Sequence, residues 1–144
     1  MATKKRAENN DVGKRPISIT AVVDCVGALA TGTLHGNLYF YDTNRAGGST
    51  GAGTEELRTR VRAGDQLLWS VLALECEAYL AIDGIEIDHD LVEPERRVYP
   101  GTDVAYWIGT VKKDTDGDLG YRVRFKVGSR DEPITTTLSP SLVG

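Results

Sequence analysis

The sequence predicts an all-β domain, an antiparallel β-sandwich of about seven to nine strands. Three observations carry that expectation. Apolar and polar side chains alternate over several short runs, glycine and aspartate punctuate those runs, and no stretch shows the spacing of a convincing amphipathic helix. The 144 residues suit one domain, long enough to bury a core without help from disulfides or metals. Residues 1–14 are polar and without periodicity, so they are expected to form a flexible tail ahead of a single domain over 15–144.

The first strand is expected where Ile17, Ile19, Ala21, Val23 and Cys25 alternate with mostly polar neighbours. Gly27 to Asn37 reads as a loop hinged at Gly32 and Gly36. Leu38-Tyr39-Phe40-Tyr41-Asp42 follows as an aromatic-rich strand. The glycine-rich stretch from Gly47 to Gly53 lacks the Gly-Lys-Ser/Thr ending of a phosphate-binding loop and reads as a flexible connection. From Thr54 to Arg62, Leu57, Thr59 and Val61 alternate with Glu56, Arg58, Arg60 and Arg62, the pattern of a strand with one face in solvent.

Val61 to Leu74 is the most apolar run, and it is taken as the central strand. Leu67, Trp69, Val71 and Ala73 would point one way and Leu68, Leu72 and Leu74 the other, so a cover on both faces is expected. A helix competes here, because Leu, Ala and Glu through Ala81 favour one and Thr54-Glu55-Glu56 resembles a helix start; Ala63-Gly64-Asp65 would interrupt it. Beyond it, Asp83-Gly84 between two alternating arms predicts a hairpin. Val104 to Val111 and Tyr121 to Val127 are further strands, the segment from Glu93 to Gly101 is loop, and Pro133 to Leu138 is the last strand.

The formal net charge is -4 with acids and bases interspersed, which gives no footprint for gripping nucleic acid. No run of eighteen apolar residues and no apolar segment behind Lys4-Lys5-Arg6 is present, so neither a membrane span nor a signal peptide is expected, and the protein is placed in the cytoplasm. Cys25 and Cys76 each sit in apolar runs, as buried reduced thiols do, although a bridge between them is also open. The two histidines, His35 and His89, accompany no catalytic or zinc motif, so the chain is read as a non-enzyme.

Two groups of residues are candidates for binding. Asp114, Asp116 and Asp118 alternate around Gly117, and such carboxylates can wrap a calcium ion; a solubilising hairpin tip is the competing reading. Asp42 and Asn44, with the rings of Tyr41 and Trp107, could present acids and an aromatic face to a sugar. Together they suggest a calcium-dependent, carbohydrate-binding protein. The alternative is a structural or storage protein that self-assembles through exposed strand edges, and either reading suits a homo-oligomer.

Taken in order, several short motifs resemble the AidA/PixA-type bacterial inclusion body proteins over 17–138. They are Val22-Val23-Asp24, Tyr39, the glycine-rich loop, Thr54 to Leu57, Val61-x-x-Gly64-Asp65-x-x-x-Trp69, Trp107-x-Gly109-Thr110-Val111, Tyr121 to Val127 and Asp131-Glu132-Pro133-Ile134. The resemblance implies a compact β-sandwich made in bacterial cytoplasm, sometimes stored as crystalline inclusions, with a lectin role attached to the family. Two departures stand out. PixA-like members are rich in methionine whereas Met1 is the only one here, and Glu132 is inserted relative to an Asp-Pro pairing.

Overall fold

The computed structural model describes residues 15–75 and 77–144. The expected tail over 1–14, and Cys76 with its pairing to Cys25, lie outside the described residues. Among the described residues the chain forms eleven strands and one short helix, in the order β1 Ile17–Val23, α1 Cys25–Thr31, β2 Leu38–Asp42, β3 Arg58–Arg60, β4 Gln66–Ala73, β5 Leu80–Glu86, β6 Glu95–Val98, β7 Ala105–Thr110, β8 Asp118–Gly120, β9 Arg122–Val127, β10 Ile134–Thr135 and β11 Ser141–Val143. They make three sheets, ordered β2-β1-β4-β7-β6, β10-β9-β5 and β3-β11-β8. The expected all-β character holds, while the strand count exceeds the seven to nine expected.

The antiparallel expectation needs correcting at two places. β1 pairs with β4 in parallel, Ile17 opposite Leu67 through Val23 opposite Ala73, and β3 pairs with β11 in parallel. A parallel pair needs a long crossover, and α1, β2 and β3 supply it between β1 and β4. β4 is the middle strand of the five, as its apolar run suggests. One core joins the sheets: Ile19, Phe40, Leu67 and Trp69 from the large sheet meet Val123 and Phe125 from β9 and Leu142 from β11, all essentially sealed from solvent. Inside it, the Trp69 indole N–H donates to the Tyr121 hydroxyl at 3.3 Å, with the rings edge to face at 5.9 Å. Burial pushes the Tyr121 hydroxyl well above the ordinary phenol value.

Three local expectations also change. The segment after β1 is helical because Asp24 caps it, accepting from the Gly27 N–H at 2.9 Å, and Gly32 ends it with φ of 75°. Asp83-Gly84 is not a hairpin turn but lies within β5, at a bulge against β9. A Cβ on Gly84 would meet the Arg124 guanidinium, which crosses β5 to reach Asp83 and Glu86, so a larger residue there would displace that side chain. The segment expected as loop around Arg96 is β6, an edge strand on β7.

Candidate functional site

The sheet register shows where each candidate binding residue lies. Asp42, Ile19, Trp69 and Trp107 stand opposite one another across β2, β1, β4 and β7, so they share the core-facing side. Trp107 is half-buried and its indole N–H donates to the Ile82 carbonyl at 3.2 Å. Tyr41, one residue before Asp42, projects from the opposite face and is exposed. Asp42 and Trp107 are three strand spacings apart, about 14 Å at the usual interval. The four residues expected to hold a sugar therefore do not converge.

Asp42 and Asn44 are occupied within the fold. One Asp42 oxygen accepts from the Asn44 N–H at 2.9 Å and the other from the Thr59 hydroxyl at 2.8 Å. The Asn44 amide donates to the Arg60 carbonyl at 2.8 Å. Together these bonds tie the end of β2 to β3.

Asp114, Asp116 and Asp118 do come together, lining with Asp88 and Lys113 a cavity of about 250 Å³. Gly117 takes a φ of 90°, which only glycine adopts cheaply, so the sharp turn expected there exists. Three of the four carboxylates have partners within the protein. Asp114 accepts from the Ala63 N–H at 2.9 Å, Asp88 from the Asp90 N–H at 2.9 Å, and Asp118 forms a forked pair with Arg58 at 2.9 and 2.5 Å. Among the described residues no three carboxylate, histidine or cysteine side chains are grouped so as to hold a metal ion. A calcium shell takes six to eight oxygens, so these aspartates would need further oxygen ligands to complete one.

Sequence reasoning missed a different feature, at the C-terminal end of β4. Leu72 and Leu74 lie on the outer face of the large sheet, each 59% exposed, where the sequence implied a cover on both sides. Leu72 stands beside Val22, which stands beside Tyr39. Glu75 then turns back and accepts from the Cys25 and Val26 N–H groups at the start of α1, at 2.8 and 3.4 Å, which brings the exposed Val26 alongside. Leu29, further along α1, lies against Gly128, whose N–H donates to the Tyr79 carbonyl; both Leu29 and Tyr79 are exposed. Apolar side chains from α1, β1, β2 and β4 and from the segment before β5 thus gather around one end of the molecule.

The carboxylate of Asp24 at this helix start is held below the ordinary range, first by the Gly27 N–H and then by its contact with Glu75. Cys25 behind it is buried, and burial together with the charges of Glu75 and Asp24 pushes its thiol up. His35, by contrast, lies on the surface with Nδ1 3.4 Å from Glu55. No helix among the described residues is long and apolar enough to cross a membrane.

Comparison with known proteins places this geometry. The fold is similar to the crystal structure of an inclusion body protein, PixA, from Burkholderia cenocepacia J2315, with a TM-score of 0.68 over 90% of this chain and 94% of that one, at 12% identity. At that identity the likeness is one of fold, and it agrees with the resemblance read from the sequence. No curated protein matches the chain. A family model described as Domain of unknown function (DUF8788) matches residues 15–132, and the chain belongs to that family.

Proposed function

We propose that the chain is a non-enzymatic structural protein, a β-sandwich that assembles with copies of itself in the cytoplasm. The observation that supports this most is the open apolar end around Leu72, Leu74, Val26 and Tyr79, each about 60% exposed. Exposed apolar side chains brought to one end of a small domain in this way are a candidate contact site. The shared fold of an inclusion body protein points the same way. The assembly surface is a sheet face rather than a strand edge. The free edge of β6 carries exposed Glu95, Arg96 and Arg97, and charge along an edge discourages pairing with another strand.

Light scattering over a concentration series tests this reading. The wild type is expected to exceed the monomer mass as concentration rises, and the double variant Leu72→Lys/Leu74→Lys is expected to stay monomeric, since both positions are exposed and tolerate lysine without unfolding. A wild type that stays monomeric throughout, or a double variant that assembles equally well, overturns it.

Calcium-bridged carbohydrate binding is a second reading, favoured only by the gathering of Asp88, Asp114, Asp116 and Asp118 on one cavity. It requires Asp118 to leave Arg58. A calcium-dependent rise in melting temperature that Asp116→Asn abolishes would support it.

A further inference from the structure

Three cavities of similar size differ in how their charges are answered. The first holds the aspartates described above. The second, about 300 Å³, is lined by Glu93, Glu95, Arg97 and Lys112, and its charges pair off as Lys112 with Glu93 at 2.8 Å and Arg97 with Glu95 at 3.2 Å. The third, about 270 Å³, lies between the start of β1, the loop after β2 and the end of β3. It is lined by Arg15, Arg60 and Arg62 together with Asn44, Ile17 and Asp65. Among the described residues its lining holds three arginines and one aspartate, in a protein whose formal net charge is -4.

The backbone under these arginines is fixed by side chains. Asp65 accepts from the Arg62 N–H at 2.8 Å, and its own N–H returns a bond to the Arg62 carbonyl at 3.1 Å, which closes the turn through Gly64. Ser49, almost wholly buried, accepts from the Arg60 N–H at 3.1 Å, and Asn44 donates to the Arg60 carbonyl at 2.8 Å. The guanidinium groups differ in how far they are engaged. Arg60 donates to the Gly144 oxygen at 2.5 Å, while Arg15 and Arg62 have no side-chain hydrogen bond or ion pair among the described residues. Like charges held on an ordered frame around one cavity repel one another, and a bound oxyanion removes that repulsion while matching the planar fork of arginine.

We propose that this cavity is an anion site for a small divalent oxyanion of the phosphate or sulfate type, held by Arg15, Arg60 and Arg62. Its volume lies just below the usual range of about 300–1,000 Å³ for small-molecule sites, which suits an anion or a small phosphorylated compound rather than a large cofactor. The site stands apart from the apolar end of β4 and does not depend on self-assembly.

The test is a thermal melt of the full chain in phosphate and in chloride at matched ionic strength, so that general screening is held constant. The wild type is expected to melt higher in phosphate, and Arg15→Ala and Arg62→Ala to lose that difference. By calorimetry either variant should bind inorganic phosphate at least about tenfold more weakly, the loss expected for one charge-assisted contact. In chloride both variants should melt no lower than the wild type, because removing one of three like charges relieves repulsion; a lower melt there would mark the arginine as structural and overturn the proposal. A phosphate response as large in Arg62→Ala as in the wild type, or no response beyond chloride, also overturns it. Glucose 6-phosphate binding more tightly than phosphate supports the same site with a larger ligand, and equal binding supports the free ion.

Discussion

Replacing Asp42 by alanine separates a structural from a ligand-binding role for the end of β2. The Thr59 hydroxyl is fully buried and donates to Asp42 Oδ2 at 2.8 Å, so the variant leaves a buried hydroxyl without its acceptor, a cost of about 1–3 kcal/mol. The bond from the Asn44 N–H at 2.9 Å is lost as well, adding about 0.5–1.5 kcal/mol for a group closer to solvent. The sum is about 1.5–4.5 kcal/mol. With a urea slope of about 2 kcal/mol per molar, the middle of the range for a small domain, the midpoint should fall by about 1–2 M. Urea unfolding followed by the fluorescence of Trp69 and Trp107 reads this directly. Asp42→Asn keeps an acceptor for the Asn44 N–H and a polar group facing Thr59, so it should lose less than half as much. An alanine variant as stable as the wild type would refute the reasoning and return Asp42 to the list of groups free to meet a ligand.

Other consequences follow from the same packing. Tyr121→Phe leaves the Trp69 indole N–H buried and unpaired, and denaturation should show a loss of about 1 kcal/mol, at the low end because the bond is long at 3.3 Å. Gly109→Ala should cost about 1–3 kcal/mol, since its Cβ would lie 2.6 Å from a methyl of the fully buried Val92; a neutral result in the same assay would contradict that packing. The raised thiol of Cys25 gives a signed pH dependence. Below the ordinary value of 9.0 both folded and unfolded states keep the proton, and above it the unfolded state releases it first, so the contribution of Cys25 to stability is lost as pH rises past that point. Peptide mapping after iodoacetamide treatment at pH 8 should find Cys25 unmodified in the folded protein and modified in urea.

Period-2 patterning made the strands legible wherever one face meets the core and the other meets solvent. Leu38 to Asp42 is a strand as expected, and Val123, Phe125 and Val127 turn inward while Arg122 faces solvent. The pattern fails where both faces are apolar. Leu72 and Leu74 alternate with Val71 and Ala73, so nothing local says which side is covered, and the open face appears only once β4 sits between β1 and β7. The short helix was hidden because Gly27 interrupts it and its stability comes from the caps Asp24 and Gly32 and from Glu75, about fifty residues away. Asp83-Gly84 carried a hairpin signal, but it lies inside β5 because that strand continues its pairing with β9 across the bulge. The acidic turn around Gly117 was legible as a cluster. Its commitment to Arg58 and Ala63 was not, because those contacts span more than fifty residues.

Amide hydrogen exchange, compared between dilute protein and protein concentrated enough to assemble, tests the central claim most directly. The account predicts added protection confined to the end of β4 from Leu72 to Glu75, the adjoining part of α1 around Val26 and the segment at Tyr79. Protection appearing instead along the β6 edge at Glu95–Val98, or no change anywhere on concentration, would contradict assembly through this face.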